Sequence, residues 1–357
     1  MRRGLLAWSE AETPKAALEG RVARVQAAMK AQGFDVLLAY TNFPRPATVS
    51  YLTHFIPYWN QGLMVMGQEG LPTILVALSN RVRGWALETC HVEDVVCTPR
   101  IGEDAAKVVK GFADEIKKVG VVDADRLPNG LAQPFRKLFG GIELADATDL
   151  YMAARSPADG PEIALTRRAA AIADAAIDEA RTGKFTRASA LIGAIDGAAR
   201  RAAAEEVQIA VAPDLARGTD FVRFEGDADL GATYAVRVTV AYKGFWVRRT
   251  VSLARAEAPA SWADAAARLR AVAEALGTGA DLGNNMNSAF KSWSAVGPVG
   301  GHPLADLADH AGKHRRIGAG SIVSLSVRTD TPDGPWLGGG PVLLAAKPGG
   351  SAQLLFE

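Results

Sequence analysis

The stretch YAVRVTVAYKGFWVRRTVSL, residues 234–253, decides how this chain is read. Its two halves, 234–242 and 245–253, alternate apolar side chains with others at period two, the pattern of half-buried strands. Between them Lys243 and Gly244 give the permissive backbone that a tight hairpin needs. Arg237 and Arg248 stand eleven residues apart on either side of that turn. In a hairpin this spacing can bring two side chains onto one face, close enough to share a pocket. Like charges held side by side repel, so the pair calls for an anion or for solvent.

Working outward, 357 residues are enough for two domains, each with its own core. Apolar residues make up 48% of the chain and charged ones 22%, as in an ordinary globular protein, and a formal charge of +1 gives no reason to expect nucleic acid or an acidic membrane as partner. Cys90 and Cys97 form neither a CxxC pair nor a zinc pattern with histidine, so Cys90 reads as a buried, inert thiol. The first seventeen residues hold two arginines but no apolar core of seven, and no run approaches 18 apolar residues. A signal peptide and a membrane span are therefore not expected, and the expected location is cytoplasmic.

Residues 13–33 read as a helix, with proline in the first turn, an apolar stripe through Leu18, Val22, Val25 and Met29, and Gly33 at its end. Strands are expected at 34–40, with 49–55 continuing it, at 63–66 and 73–77 as a hairpin pair, at 92–97, at 118–123 and at 142–144. Helices are expected at 103–118 and 128–139. Such alternation describes an α/β domain. Residues 155–161, rich in Pro, Gly and polar groups, mark the joint, giving domains 1–154 and 155–357. Beyond it come helices at 162–183, 186–204, 261–276 and 282–291, with strands at 207–212, 234–242, 245–253, 321–328 and 341–346. The fold class is thus α/β plus α+β, in two domains. Gly338-Gly-Gly340 precedes a proline and a strand, and reads as a turn with no nucleotide cradle.

Taken in order, these segments resemble the aminopeptidase P, prolidase and creatinase family, which has a pita-bread C-terminal domain. The resemblance rests on the helix from Arg21 to Gly33, the Asp35-Val-Leu-Leu strand and the Tyr51-Leu-Thr segment. It also rests on the joint and Ala-rich helix of 155–177, the hairpin Val240-Ala-Tyr-Lys-Gly-Phe-Trp246, Gly301-His302, and Gly318-Ala-Gly320 before a strand. In the family's metallopeptidases two metal ions are held by two aspartates, one histidine and two glutamates. By resemblance the aspartates fall at Arg237 and Arg248, the histidine at His302, the first glutamate at Ser326 and the last near Gly339 or Gly340. Four of the five ligands are thereby replaced, two of them by cations. A guanidinium has no lone pair to offer a divalent ion and does not deprotonate in practice, so dinuclear metallopeptidase activity is expected to be absent and no cofactor is expected.

Losing four carboxylates and gaining two arginines turns a cation trap into an anion site. Guanidinium forks bind carboxylates in bidentate fashion, so the expected partner is a small anionic, carboxylate-bearing molecule at Arg237 and Arg248. The competing reading has these arginines facing outward, or paired with Asp227, Asp229 or Glu225. By resemblance to creatinase, which cleaves a C–N bond without metal, a hydrolase or lyase is one expectation, with His302 and Glu225 as catalytic groups. His310 is a further binding candidate, although it lies eight residues from His302 where the family has seven. Val222-Arg223-Phe224 stands where the family has another histidine, which leaves the creatinase apparatus incomplete and makes Arg223 a binding candidate. Trp59, Trp246, Trp293 and Trp336 are candidate pocket liners, and by resemblance the loop around Tyr58-Trp59 reaches toward a dimer partner. The alternative is a catalytically inactive protein, a structural or regulatory partner. The expected assembly is a homodimer, or a heteromer with an active paralogue.

Overall fold

The computed structural model describes residues 8–57, 60–112, 115–222, 226–280 and 282–356. They form two compact units, one comprising the chain through Pro161 together with Pro298–Pro303, the other Glu162–Gly297 with the chain from Leu304 onward.

In the first unit, α1 (Lys15–Gln32) is followed by β1 (Val36–Thr41), α2 (Ala47–Thr53), β2 (Gly62–Gly67), β3 (Thr73–Val76) and α3 (Arg83–Glu88). Then come β4 (Asp94–Cys97), α4 (Ile101–Lys110), β5 (Val119–Val122), α5 (Asn129–Leu138), β6 (Leu144–Asp146) and α6 (Thr148–Arg155). Helix α1 stops where Gly33 turns left-handed at φ 68°, its N–H capping the carbonyls of the last turn. The six strands form one mixed sheet in the order β4-β3-β2-β1-β5-β6. Val36, Leu38, Leu63, Val65, Val119 and Val121 of the sheet pack against Ile101, Val109 and Phe135 of α4 and α5 in one core. Cys90 is buried, and burial pushes its thiol up to about 12.

Two expectations fail here. Residues 49–55 do not extend the first strand, because Ala47–Thr53 is helical with every residue buried. A run buried on all sides carries no alternation that separates strand from helix. Here Pro46 starts the helix, and His54, at φ 65°, ends it. Helix α4 ends at Lys110, well short of 118.

The second unit opens with α7 (Gly160–Thr182) and α8 (Ala188–Arg201), then β7 (Glu206–Ala212), β8 (Thr233–Tyr242) and β9 (Phe245–Ala254). Helices α9 (Ser261–Ala275) and α10 (Leu282–Ala289) precede β10 (Ser292–Val299), β11 (His302–Asp309), β12 (Ile322–Thr331), β13 (Gly334–Gly339), β14 (Pro341–Leu343) and β15 (Gln353–Leu354). The large sheet runs β11-β10-β12-β13-β9-β8-β7, with β14 pairing β12 and β15. Val236, Val238, Val240 and Val247 form one core with Ile172, Ala173, Ile177, Leu191 and Ile195 of α7 and α8. This is the apolar half of the period-two pattern read at the hairpin. Residues 338–340 are not a turn: Gly338 and Gly339 are ladder residues of β13, paired with Val251 and Thr250 of β9. A side chain is excluded there by close approach, since a Cβ on Gly339 would lie 2.0 Å from the Leu325 carbonyl oxygen. Strands β10 and β11 had no counterpart in the sequence reading, because serines, glycine and prolines interrupt their apolar alternation.

Candidate anion site

The register of β8 and β9 sets Arg237 opposite Thr250 and Thr239 opposite Arg248. Directly paired residues, and residues two apart, share a face, so these four side chains stand together on the side away from α7 and α8. The eleven-residue spacing thus delivers two arginines to one face. Arg249 points the other way, toward the helices, where it is buried and its Nε–H donates to Asp174 Oδ1 of α7 at 2.6 Å. Its guanidinium also donates to the Gly339 carbonyl and lies 4.0 Å over the Phe356 ring. One hairpin therefore sends one arginine to a carboxylate among the helices and two to the opposite face of the sheet.

Arg237 is the unusual member. It is half-buried, and its guanidinium lies 4.1 Å over the Phe221 ring. Its Nε is sealed from solvent without a hydrogen-bond partner, and it makes no ion pair among the described residues. Burial first, and the nearby Arg248 second, push its pKa down to about 10. Two of the three acids considered as partners are engaged elsewhere: Arg187 donates to Asp227 at 2.8 Å and to Asp229 at 2.7 Å, and the third, Glu225, lies outside the described residues. Arg248 donates through Nε to Thr239 Oγ1 at 3.5 Å, and its backbone N–H donates to Ser324 Oγ at 3.2 Å.

Arg237 borders a cavity of about 400 Å³ that lies wholly in the second unit. Thr250, Ser326, Ser294, Ser292 and Thr219 line it with hydroxyls, Phe221, Trp293 and Leu337 with apolar surface, and Arg328 and Asp220 with charge. Thr250, Gly339 and Ser326 follow one another across three neighbouring strands. Because Gly339 contributes no side chain, the hydroxyls on either side of it meet at 3.2 Å.

The residues present do not fit the dinuclear metal centre that the resemblance implies. Two of the positions are guanidiniums and a third is the neutral hydroxyl of Ser326. The fourth has no room for a carboxylate: a Cβ at Gly339 meets the Leu325 carbonyl at 2.0 Å, and one at Gly340 meets the Phe356 ring at 2.5 Å. Among the described residues, no group of three or more His, Cys, Asp or Glu gathers closely enough to hold a metal ion.

Of the other candidates, His302 opens β11 and is half-buried within Pro298–Pro303, which groups with the first unit. The neighbouring Gly301 N–H donates to Asp123 Oδ2 at 2.7 Å. His310 is exposed in the turn after β11, and Lys313 of the same basic run pairs with Asp306 at 3.2 Å. Trp293 lines the cavity, whereas Arg248, His310, Trp246 and Trp336 do not. Trp59, Arg223 and Glu225 lie outside the described residues. The sequence reading missed Thr250 and Arg328. Thr250 was available from counting the hairpin register opposite Arg237, and Arg328 from stepping two residues along the strand from Ser326.

Residues 21–156 match the model of the creatinase/prolidase N-terminal domain. The prolidase of Pyrococcus horikoshii OT3 superposes with a TM-score of 0.73 at 15% identity, covering 94% of this chain and 98% of its own. The Xaa-Pro dipeptidase of Bacillus anthracis gives 0.68 at 16% identity, covering 95% and 98%. A variant of Escherichia coli aminopeptidase P gives 0.67 at 12%, covering 95% and 94%. No curated protein sequence matches the chain. At such identities the likeness of the solved structures is one of fold: residues 21–156 are a creatinase/prolidase N-terminal domain, and the chain has the pita-bread fold of the prolidases and aminopeptidase P.

Proposed function

We propose that this protein binds a small, carboxylate-bearing anion in the cavity of its second unit, without metal. The observation that carries this reading is Arg237. A cation with its Nε sealed from solvent and no acidic partner among the described residues borders a cavity of about 400 Å³, a volume within the usual range for small-molecule sites. A buried charge without a partner costs stability, and a bound carboxylate supplies the partner. Arg248 supports the site from beside it, by adding positive potential on the same face.

The prolidases and the aminopeptidase P of like fold are peptidases by name, but carrying that activity over would require ligands that Arg237, Arg248, Ser326 and Gly339 do not supply. A metal-free hydrolase or lyase would need a proton-transfer group at the cavity. Among the described lining residues Asp220 is the one carboxyl or imidazole, and it is exposed. His302 does not line this cavity and Glu225 lies outside the described residues, so the second reading is kept beside the first: a catalytically inactive protein acting as a structural or regulatory partner. A homodimer, or a heteromer with an active paralogue, remains part of the proposal and is read from the mass in solution by light scattering.

The test is a thermal-shift screen of small carboxylates on the wild type, Arg237→Ala and Arg248→Ala. Carboxylates are expected to raise the melting temperature of the wild type, to fail with Arg237→Ala, and to act more weakly with Arg248→Ala. Stabilisation unchanged in both variants excludes these arginines as the binding groups.

A further inference from the structure

We infer that the anion is a dicarboxylate, with one carboxylate at Arg237 and the other at Arg328. This rests on the anion-site reading above and specifies its ligand class. Arg328 borders the same cavity, and its Nε, like that of Arg237, is buried without a hydrogen-bond partner. Its terminal nitrogen stands 3.6 Å from Asp330, but Lys291 also donates to that carboxylate. One acid shared by two cations leaves positive charge on the cavity side of Arg328.

The strand register keeps the two guanidiniums apart. Arg237 lies in the row Arg237–Thr250–Gly339–Ser326, while Arg328 lies two residues along β12, opposite Leu337. Their strands are three steps apart in the order β8-β9-β13-β12. With ~4.8 Å between neighbouring strands and ~3.4 Å per residue along one, their α-carbons would be separated by about 16 Å if the sheet were flat. One carboxylate does not serve both, and the Thr250–Ser326 hydroxyl pair lies between them to solvate a polar mid-section.

The test is calorimetry on the full chain with butyrate and with succinate, glutarate and adipate, comparing wild type, Arg237→Met and Arg328→Met. At least one dicarboxylate is expected to bind the wild type ten times or more tightly than butyrate. Arg328→Met is expected to reduce that ligand to the butyrate level while leaving butyrate within about twofold, and Arg237→Met to abolish both. Circular dichroism confirms that each variant is folded. If dicarboxylates gain nothing over butyrate, or keep their gain in Arg328→Met, the dicarboxylate inference is overturned while the anion site stands. If no carboxylate binds, or if Arg237→Met binds all of them normally, the anion site itself is overturned.

Discussion

Replacing Arg237 by Met should make the ligand-free protein more stable. Burial, with Arg248 nearby, lowers the pKa of this guanidinium from 12.5 to about 10, and each tenfold loss of proton affinity corresponds to about 1.4 kcal/mol. Holding the charge in the fold therefore costs on the order of 3 kcal/mol. Arg237 is half-buried, so solvent screening reduces that figure. The variant also gives up the guanidinium–Phe221 contact, worth ~0.5–1 kcal/mol. A net gain of roughly 1–2 kcal/mol remains, since Met keeps most of the stem. In a domain of this size that raises the melting temperature by roughly 2–8 °C. Arg249→Met is the internal control, because the same hairpin sends Arg249 to Asp174 and the Gly339 carbonyl. Breaking that pair strands Asp174 and should cost about 3–5 kcal/mol. Differential scanning calorimetry of the three proteins without ligand reads both effects. A loss of more than about 1 kcal/mol in Arg237→Met would mean that this guanidinium is neutralised within the fold, and would refute the reasoning.

Three further outcomes follow from the geometry. Gly339→Ala places a Cβ 2.0 Å from the Leu325 carbonyl at φ 154°, and should cost about 3 kcal/mol or more by chemical denaturation; a loss below 1 kcal/mol would show that the strand approach relaxes. Hydrogen bonds from the Ser189 backbone N–H and from Arg187 hold the Asp227 carboxyl well below its ordinary 3.8. A depressed carboxylate stabilises the fold above its unfolded value and loses that contribution as the pH falls below about 4, so the melting-temperature gap between wild type and Asp227→Asn should be full at pH 7 and shrink toward pH 2. A gap that is constant with pH would contradict it. Cys90 is buried with its thiol raised to about 12, whereas Cys97 is half-buried, so a thiol reagent at pH 8 should label Cys97 alone in the native protein; equal labelling of both would place Cys90 at the surface.

The hairpin was the most legible part of the chain because its chemistry is local. Period-two alternation and one glycine fix the turn, and the turn fixes which arginines share a face. Residues 49–55 were misread because full burial erases periodicity, leaving nothing local to separate helix from strand. The three glycines at 338–340 look like a turn until a neighbouring strand is known to press the Leu325 carbonyl against Gly339, and that contact is long-range. The same holds for the site. Arg237 was visible as a charge where an acid was expected, whereas Arg328, Phe221 and the Thr250–Ser326 contact depend on strand order, which the sequence does not state. Asp174 as the partner of Arg249 depends on a helix packing against the far side of the sheet, and it was missed for the same reason.

Anion binding through Arg237, with no metal required, is the property on which the proposed function stands. Calorimetric titration of a carboxylate into protein stripped with a chelator, wild type beside Arg237→Met, tests it most directly. The expected result is a one-to-one isotherm in the wild type that is unchanged by chelator and absent in the variant. Binding that appears only when a divalent metal is restored, or that persists undiminished in Arg237→Met, would contradict it.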